Sequence, residues 1–435
     1  MTGRRRTRST VLPFTTGPLT RAATAAAATV ACASLAAGCG ILPGATGGSG
    51  DDPVTVMTWA PMETTATNKP GMPAFAEAYA RWVNAHGGIN GRTLKVLTCN
   101  EHNDTVAAAK CARRAVNEHA VAVVGSYSQY SDSYFPPLES AGIPYIGGYG
   151  VTTAEFTSPL SYPVNGGQPV LLAGLGRELA ARCGHVALVR PDTIAGDELP
   201  SLLGAGLKAG GHADAGDLVA DEDATEYEAQ SEQALKQAAR GSRKDGCVVP
   251  ALGERTGTFM DSFRRTRAQY PGVGAATVMG SVDQTAVDAS GGSAGPYEGS
   301  YITGWYPVST DPRWDGMKQV ISEQAFTDNR IDPADAGVQT TYIAYTAFRK
   351  VVESLGRGEV TADTVRHALD DGVPVTTGGL TPTLSWPFAG KLAPIGFPRL
   401  VNTDVTLQVV RDGRLVAARK GFVDVTDTLK NAHLN

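Results

Sequence analysis

The chain has 435 residues, of which 42% are hydrophobic and 19% charged. This is enough apolar material for two or three domains with ordinary cores, and it excludes a disordered chain or a disulfide-only miniprotein. The formal net charge is −5, and removing the five arginines of residues 1–38, which hold no acid, leaves −10. An acidic body offers no electrostatic footprint to a phosphate backbone, so nucleic acid is not an expected partner.

The amino terminus resembles a bacterial lipoprotein signal peptide. A basic region at Arg4–Arg8 precedes an apolar stretch, Ala22–Ala33, that is too short to span a bilayer, and a small-residue run, Leu35–Gly38, ends at Cys39. The resemblance implies a signal peptide over 1–38 and a lipid anchor on Cys39, at the outer face of the membrane. The alternative is an ordinary secretory signal in which Cys39 has no role. The composition of residues 39–52 predicts a flexible tether.

Export changes how the remaining cysteines are interpreted, because thiols outside the cytoplasm tend to pair. The four cysteines of the body allow three pairings: Cys99, Cys111, Cys183 and Cys247. Cys99 ends a predicted strand and Cys111 lies one turn into the following helix, while Cys183 and Cys247 each precede an apolar strand. A metal site that combines Cys99 and Cys111 with His102 and His119 is the alternative, but its spacing fits no familiar zinc pattern. We expect disulfides, no metal and no cofactor.

Strand and helix patterns alternate through the first part of the body. Strands are predicted at 54–59, 93–98, 121–124 and 143–146, and helices at about 72–83, from 103 or 104 to about 119, and at 131–140. The short apolar strand at 121–124 is typical of a parallel sheet that is covered on both faces.

The same alternation begins again after Pro163. Helices at about 169–182, 198–209, 227–240 and 256–270 are followed by strands at 186–189, near 218–219, at 248–252 and at 277–279. The last part is predicted to hold a strand near 301–305, helices at about 336–355 and 361–369, and a hairpin that turns at Asp412-Gly413. Two α/β units, each with a parallel sheet, are therefore predicted.

The segment 54–150 contains Gly87-Gly88-Ile89-Asn90-Gly91 at the end of its first helix, and Gly142-Ile143-Pro144-Tyr145-Ile146 further on. With these motifs it resembles the first lobe of the Leu/Ile/Val-binding family of type I periplasmic binding proteins. The resemblance implies two doubly wound α/β lobes of the Venus-flytrap type, with three hinge crossings near Pro163, Glu298 and Gly379. Lobe I would comprise 53–163 plus 299–378, and lobe II 164–298 plus 379–435.

A cleft between two such lobes is suited to binding. Loops at the carboxyl ends of parallel strands converge, and a solute that contacts both lobes favours the closed form. The resemblance implies an extracytoplasmic, monomeric receptor that captures a small polar or amphipathic solute, such as an amino acid or amide, for an ABC permease. The alternative is a ligand-sensing lipoprotein of the same fold that signals to a membrane partner without transport. No hydrolase or phosphate-loop motif occurs, so we do not expect an enzyme.

Candidate solute-binding residues follow the predicted strands of lobe I. They are Trp59, Met62, Ser126, Tyr127, Ser128, Gly148, Tyr149 and Gly150. The resemblance implies that a serine after the third strand holds the solute's head group, which favours Ser126 or Ser128, although a serine there could instead cap a helix. Trp59 and Met62 either contact the solute or fill the base of the lobe. Gly148–Gly150 stands where the amino-acid binders carry an Ala-x-Thr-like run, and is a departure from their pattern.

The candidates in lobe II are Ile194, Glu254 and Asp283. Ile194 lies in a segment, 193–196, that replaces the tyrosine and glycine pair of the family. Glu254 and Asp283 follow strands at positions where the family often has a carboxylate for an ammonium group, but acids are also common in surface loops, and Arg255 could neutralise Glu254. The acidic triplet 221–223 is interpreted as a solvated loop rather than a cation site.

Overall fold

The computed structural model describes residues 52–240, 246–387 and 396–430. The predicted signal peptide, Cys39 and the tether up to residue 51 lie outside the described residues. The strands are β1 Val54–Ala60, β2 Leu94–Asn100, β3 Ala122–Val124, β4 Tyr145–Ile146, β5 Ser161–Tyr162, β6 Val186–Pro191, β7 Gly216–Ala220, β8 Gly246–Pro250, β9 Val273–Val278, β10 Tyr301–Gly304, β11 Asp404–Arg411, β12 Arg414–Ala417 and β13 Val423–Asp424.

The helices cover both faces of the sheets that these strands form. They are α1 Gly71–Ala85, α2 Thr105–Asn117, α3 Ser131–Ala141, α4 Gly167–Arg182, α5 Ile194–Asp197, α6 Leu199–Ala209, α7 Glu228–Ala238, α8 Thr256–Thr266, α9 Gln284–Ala289, α10 Asp315–Gln324, α11 Ala336–Ser354, α12 Ala362–Asp370 and α13 Thr426–Lys430.

Lobe I is built on a parallel sheet with the strand order β2-β1-β3-β4-β5. Helix α1 buries Met72, Phe75, Tyr79 and Val83 on one face, and it packs against α10 and α11 from the later part of the chain. Asp104 caps α2 by accepting a hydrogen bond from the backbone of Ala107 at 2.8 Å, which satisfies one of the free N–H groups of the first turn. The predicted helix is therefore present, and Asp104 rather than residue 103 caps it.

Lobe II is built on a sheet with the strand order β12-β11-β10-β9-β8-β6-β7, and β13 pairs with β11. Strands β6 to β10 are parallel to one another, while β11 is antiparallel to β10 and β12. Helices α4 and α6 pack closely at Gly176. This position has room for no side chain, because a Cβ atom there would collide with the backbone of α6. Two α/β lobes with parallel sheets confirm the predicted fold class.

The chain passes between the lobes three times. The first crossing follows β5 at Pro163, where the sequence predicted it. The second follows Gly304 rather than Glu298, because β10 pairs with β9 and β11 in the second sheet. The third lies near Arg399, whose backbone N–H donates to Phe156 of lobe I at 2.9 Å shortly before β11 begins. It therefore comes later in the chain than the position predicted near Gly379.

Two disulfides tie helices to strands. Cys99 of β2 is bonded to Cys111 of α2, and Cys183 at the end of α4 is bonded to Cys247 of β8. The first bridge joins the two cysteines that the alternative metal site would have used. Within the described residues, no group of three or more His, Cys, Asp or Glu side chains is placed to hold a metal ion. No helix of the same residues is long and apolar enough to cross a membrane.

Candidate functional site

Two adjoining cavities of about 70 Å³ each lie between the lobes, where loops from the carboxyl ends of strands in both sheets meet. We call them the hinge-side cavity, which reaches Trp305, and the mouth-side cavity, which reaches Glu222. Both are lined by Thr67, Tyr127, Val151, Gln168, Leu199, Ala251, Gly253 and Glu254. A cavity of about 150 Å³ accommodates benzene, so the two together suit a small molecule.

The wall of the hinge-side cavity contains a buried cation, Lys69, from the loop between β1 and α1. Its ammonium nitrogen lies 3.3 Å from Glu254 Oε1 of lobe II and 3.4 Å from Asp335 Oδ2 of lobe I. It also lies 5.7 Å from the ring centre of Tyr149. Burial alone would lower the pKa of Lys69, but Asp335, Tyr149 and Glu254 raise it well above its usual value. The lysine therefore remains charged, and it bridges the two lobes.

Further hydrogen bonds join the lobes around the cavities. Glu254 Oε2 accepts from the backbone N–H of Asn68 at 3.1 Å, so this carboxylate has two partners on lobe I. Arg255, which the sequence offered as a partner for Glu254, donates instead to the carbonyl of Thr65. Two contacts lie further along the cleft: Thr153 Oγ1 donates to Glu198 at 2.7 Å, and Thr285 Oγ1 donates to Asp332 at 2.5 Å. These contacts join the two lobes across the cleft.

Two tyrosines form the aromatic part of the site. The rings of Tyr127 and Tyr149 meet edge to face with centres 5.1 Å apart, and Tyr149 meets Trp305 in the same way at 5.2 Å. Burial raises the pKa of both tyrosines, so both hydroxyls are protonated. The buried hydroxyl of Tyr149 has no hydrogen-bond partner within the described part of the chain. It can donate a hydrogen bond to a solute.

Apolar side chains complete the hinge-side cavity. They come from α4, from the start of α6 and from the segment that ends β9: Leu171, Leu172, Leu199, Val278 and Met279. A solute there would combine a small apolar part, which these residues cover, with a polar group that faces the tyrosines.

The backbone N–H groups of the loop after β4 donate hydrogen bonds to a side chain that lies close to them in the sequence. The buried carboxylate of Glu155 accepts hydrogen bonds from the N–H groups of Gly150 at 3.0 Å, Val151 at 2.8 Å and Thr152 at 2.9 Å. Burial raises the pKa of Glu155, and these donors lower it in part. The three N–H groups are therefore not available to a carboxylate of the solute.

The structure brings three of the predicted site residues together at the cavities, namely Tyr127, Tyr149 and Glu254. Three others lie inside lobe I. Trp59 packs on Tyr134 in the core with ring centres 5.3 Å apart, and Ser126 Oγ accepts a bond from the backbone of Trp59 at 3.1 Å. Ser128 donates to the buried Glu101 at 3.0 Å. These polar side chains satisfy groups within the lobe.

The remaining predicted residues also lie outside the cavity walls. The backbone N–H of Met62 donates to Asn100 Oδ1 and its carbonyl accepts from Asn100 Nδ2, and Gly148 is pressed against Tyr145 and Glu155. The carbonyl of Gly150 accepts a bond from the backbone of Gln168 at 2.9 Å.

In lobe II, Ile194 is 91% exposed. Asp283 caps α9 by accepting a bond from the backbone of Ala286 at 2.8 Å, and burial raises the pKa of Asp283 to about 6. The acidic triplet 221–223 lines a wider polar space of about 390 Å³ at the mouth of the cleft, opposite His102.

Sequence reasoning missed Lys69, Gln168 and Trp305. Lys69 lies in the loop that joins β1 to α1, as Met62 does. Because this loop follows the carboxyl end of a strand, Lys69 could have been considered as a candidate from the sequence. Its partner Asp335 caps α11 by accepting from the backbone of Val338 at 2.9 Å, and the predicted start of that helix pointed to the cap position. Gln168 lies just after the first crossing and Trp305 lies at the second crossing. Only the tertiary structure brings these two segments to the cleft.

The family model for "Periplasmic binding protein" matches residues 62–390. No curated protein is a significant match to the chain. Three similar solved structures are a fatty acid ABC transporter substrate-binding protein from Thermomonospora curvata, a solute-binding protein of an ABC transporter from R. palustris in complex with 4-hydroxybenzoate, and a possible leucine/isoleucine/valine-binding protein from Rhodopirellula baltica SH 1.

The similarity to these structures extends over nearly their whole length. The T. curvata protein is 13% identical with a TM-score of 0.68, covering 88% of this chain and 95% of that one. The R. palustris protein is 14% identical with a TM-score of 0.67, covering 86% and 97%. The R. baltica protein is 15% identical with a TM-score of 0.66, covering 84% and 97%. At these identities the likeness shows the fold alone.

The family model covers most of the chain, and the two lobes with their cleft have the architecture of type I members. The family is one of solute-binding proteins rather than an enzyme class, and membership implies a location outside the cytoplasm. This chain belongs to the periplasmic binding protein family.

Proposed function

We propose that this protein captures a small polar or amphipathic solute in the cleft between its lobes and delivers it to an ABC permease. The observation that carries the proposal is the pair of cavities whose walls come from both lobes, with Tyr127 and Tyr149 on one side and Leu171 and Leu199 on the other. A solute that contacts both walls favours the closed form through its differential affinity. A permease can recognise that form by the relative position of the lobes.

The proposal includes a lipid anchor on Cys39, at the outer face of the cell membrane. It is supported by the basic region, the short apolar stretch and the small-residue run that precede this cysteine. Mass spectrometry of the protein from membranes should find a diacylglycerol on Cys39. Replacement by alanine should release the protein into the medium, whereas an ordinary secretory signal predicts no difference between the two proteins.

A thermal-shift screen of the purified protein against a metabolite panel tests solute capture. The panel should contain amino acids, amides, fatty acids and aromatic acids, because the similar proteins named above include a fatty acid ABC transporter substrate-binding protein and a solute-binding protein in complex with 4-hydroxybenzoate. A solute at one hundred times its Kd adds about 2.7 kcal/mol to the free energy of unfolding. Calorimetry should then give one site per chain. The proposal fails if no solute stabilises the protein or if a solute is steadily converted.

A further inference from the structure

We propose that the solute carries no ionised group, and that the Lys69–Glu254 ion pair is what rejects charged competitors. The inference rests on the proposed capture of a solute in the cleft. The charged residues in the described wall of the hinge-side cavity are Lys69 and Glu254.

The ammonium group of Lys69 is already neutralised. It has carboxylate oxygens at 3.3 Å and 3.4 Å, from Glu254 and Asp335, and its side chain is only 8% exposed. Little water reaches the buried ammonium group, so it cannot give up either carboxylate without a replacement partner. Lys69 therefore offers no free positive charge to the cavity, because two carboxylates already accompany it.

An anionic solute would have to take the place of Glu254 beside Lys69. Glu254 would then lose both the ammonium group and the backbone N–H of Asn68, its partner at 3.1 Å. The displaced carboxylate would remain next to the anion, and like charges in a confined site repel. The backbone donors after β4 cannot compensate, because Glu155 occupies those of Gly150 and Val151.

A cationic solute meets the opposite problem, because Lys69 keeps its proton and its two carboxylates. A zwitterion such as an amino acid would have to part Lys69 from Glu254 to satisfy both of its ends. It would still compete with Asp335, which remains 3.4 Å from the ammonium nitrogen. An anionic, a cationic or a zwitterionic solute would therefore have to disrupt ion pairs or hydrogen bonds that the protein already makes without a solute.

In the hinge-side cavity, where the charged residues of the described wall are Lys69 and Glu254, the hydrogen-bonding groups left for a solute are uncharged. The buried hydroxyl of Tyr149 has no partner within the described residues. Gln168, which lines both cavities, can donate and accept through its amide. A neutral amide, urea, alcohol or ketone group satisfies both, while a short apolar part packs on Leu171 and Leu199.

A matched series tests the charge rule at constant shape: isovaleramide, isovalerate, isopentylamine and leucine share one branched body, and benzamide, benzoate, benzylamine and phenylalanine share another. Thermal shift and calorimetry at pH 7 should show binding of an amide at least about tenfold tighter than its charged relatives. The inference is overturned if a charged member binds more tightly than its amide, or if the metabolite panel yields a solute that is ionised at pH 7.

The variant Glu254→Gln tests whether the ion pair causes the preference for uncharged solutes, separately from whether the cleft binds a solute at all. Loss of one carboxylate leaves Lys69 with Asp335 alone, so the affinity for isovalerate relative to isovaleramide, and for benzoate relative to benzamide, should rise about tenfold. Glu198→Gln is the matched control, because Glu198 also joins the lobes, through Thr153, but lies outside both cavity walls. It should leave the preference for amides unchanged. The same ratio of carboxylate to amide affinity in the wild type and in Glu254→Gln would overturn the inference.

The two proposals fail in different ways. If an ionised solute binds in the cleft, solute capture stands and the charge rule is overturned. If no solute of any charge stabilises the wild type or Glu254→Gln, solute capture itself is overturned, and the charge rule falls with it.

Discussion

The hydroxyl of Tyr149 on lobe I lies against the backbone of Gly280 on lobe II. A methyl group at Gly280 would overlap the hydroxyl oxygen, and the backbone of this glycine has a φ of +90°. Both residues line the hinge-side cavity. Their contact therefore helps to set how closely the lobes approach over a solute.

Gly280→Ala should weaken solute binding about tenfold, because the added methyl group keeps the lobes from closing fully. The positive φ should also cost about 1 kcal/mol of stability. Gly211→Ala is the control, since Gly211 has a φ of +75° with open space around it. Calorimetry and urea unfolding should show the same loss of stability for both variants, but reduced affinity for Gly280→Ala alone. Unchanged affinity in Gly280→Ala would refute the role of this contact.

Tyr149→Phe should separate stability from binding. The hydroxyl is buried without a partner in the described residues, so its removal should raise the free energy of unfolding by about 1 kcal/mol. Solute affinity should fall about tenfold, because the hydrogen bond that the hydroxyl donates to the solute is lost. Tyr297→Phe removes another buried, unpartnered hydroxyl away from the cavities. It should give the same gain in stability with normal affinity, and a loss of affinity in both variants would contradict the assignment.

Glu101 should make the stability of lobe I depend on pH. Burial raises the pKa of Glu101 to about 7 from an ordinary 4.5, although hydrogen bonds from Ser128 and Asn103 lower it in part. The folded chain therefore binds this proton more tightly than the unfolded chain does, and the protein loses stability as the pH rises through this range.

The variant Glu101→Gln cannot ionise and should not show this loss. The difference in unfolding free energy between variant and wild type should grow by roughly 3 kcal/mol in favour of the variant between pH 4.5 and 7.5. Denaturant titrations at several pH values measure it, and the shared effects of other acids cancel in the difference. Parallel curves over the whole range would refute the prediction.

The two disulfides should differ in their contribution to stability. The bridge between Cys183 and Cys247 spans 64 residues and that between Cys99 and Cys111 spans 12. The longer loop loses more chain entropy in the unfolded state, so the double serine variants should lose about 4 and about 3 kcal/mol respectively. Guanidinium unfolding of the oxidised proteins measures both losses. A larger loss for the shorter loop would contradict the entropic account.

The sequence predicted most helices and strands within a few residues, because periodicity, caps and turns are local signals. Examples are α11, which begins at Ala336 as predicted, and the hairpin of β11 and β12 with its turn at Asp412-Gly413. The two-residue strand β5 and the helix α10 were not predicted. The second crossing was placed before β10 rather than after it, because only pairing with β9 and β11 shows to which sheet that strand belongs.

The site was predicted less completely than the fold. Each candidate followed a strand, but consecutive residues in an extended segment point in opposite directions. Tyr127 therefore reaches the cavities while its neighbours Ser126 and Ser128 satisfy groups inside lobe I. The sequence could not tell which of the three faces the cleft, since that depends on the position of the opposite lobe.

The sequence by itself determined the alternation of strands and helices, the α/β class, the start of α2 at residue 103 or 104 and the positions of the cysteines, all of which follow from local patterns. Only the tertiary structure decided how the cleft is lined and charged. Asn68 and Glu254 are 186 positions apart, and Lys69 meets Glu254 because two separately folded sheets close on each other. A contact between lobes leaves no local pattern, because neither partner's own segment needs it in order to fold.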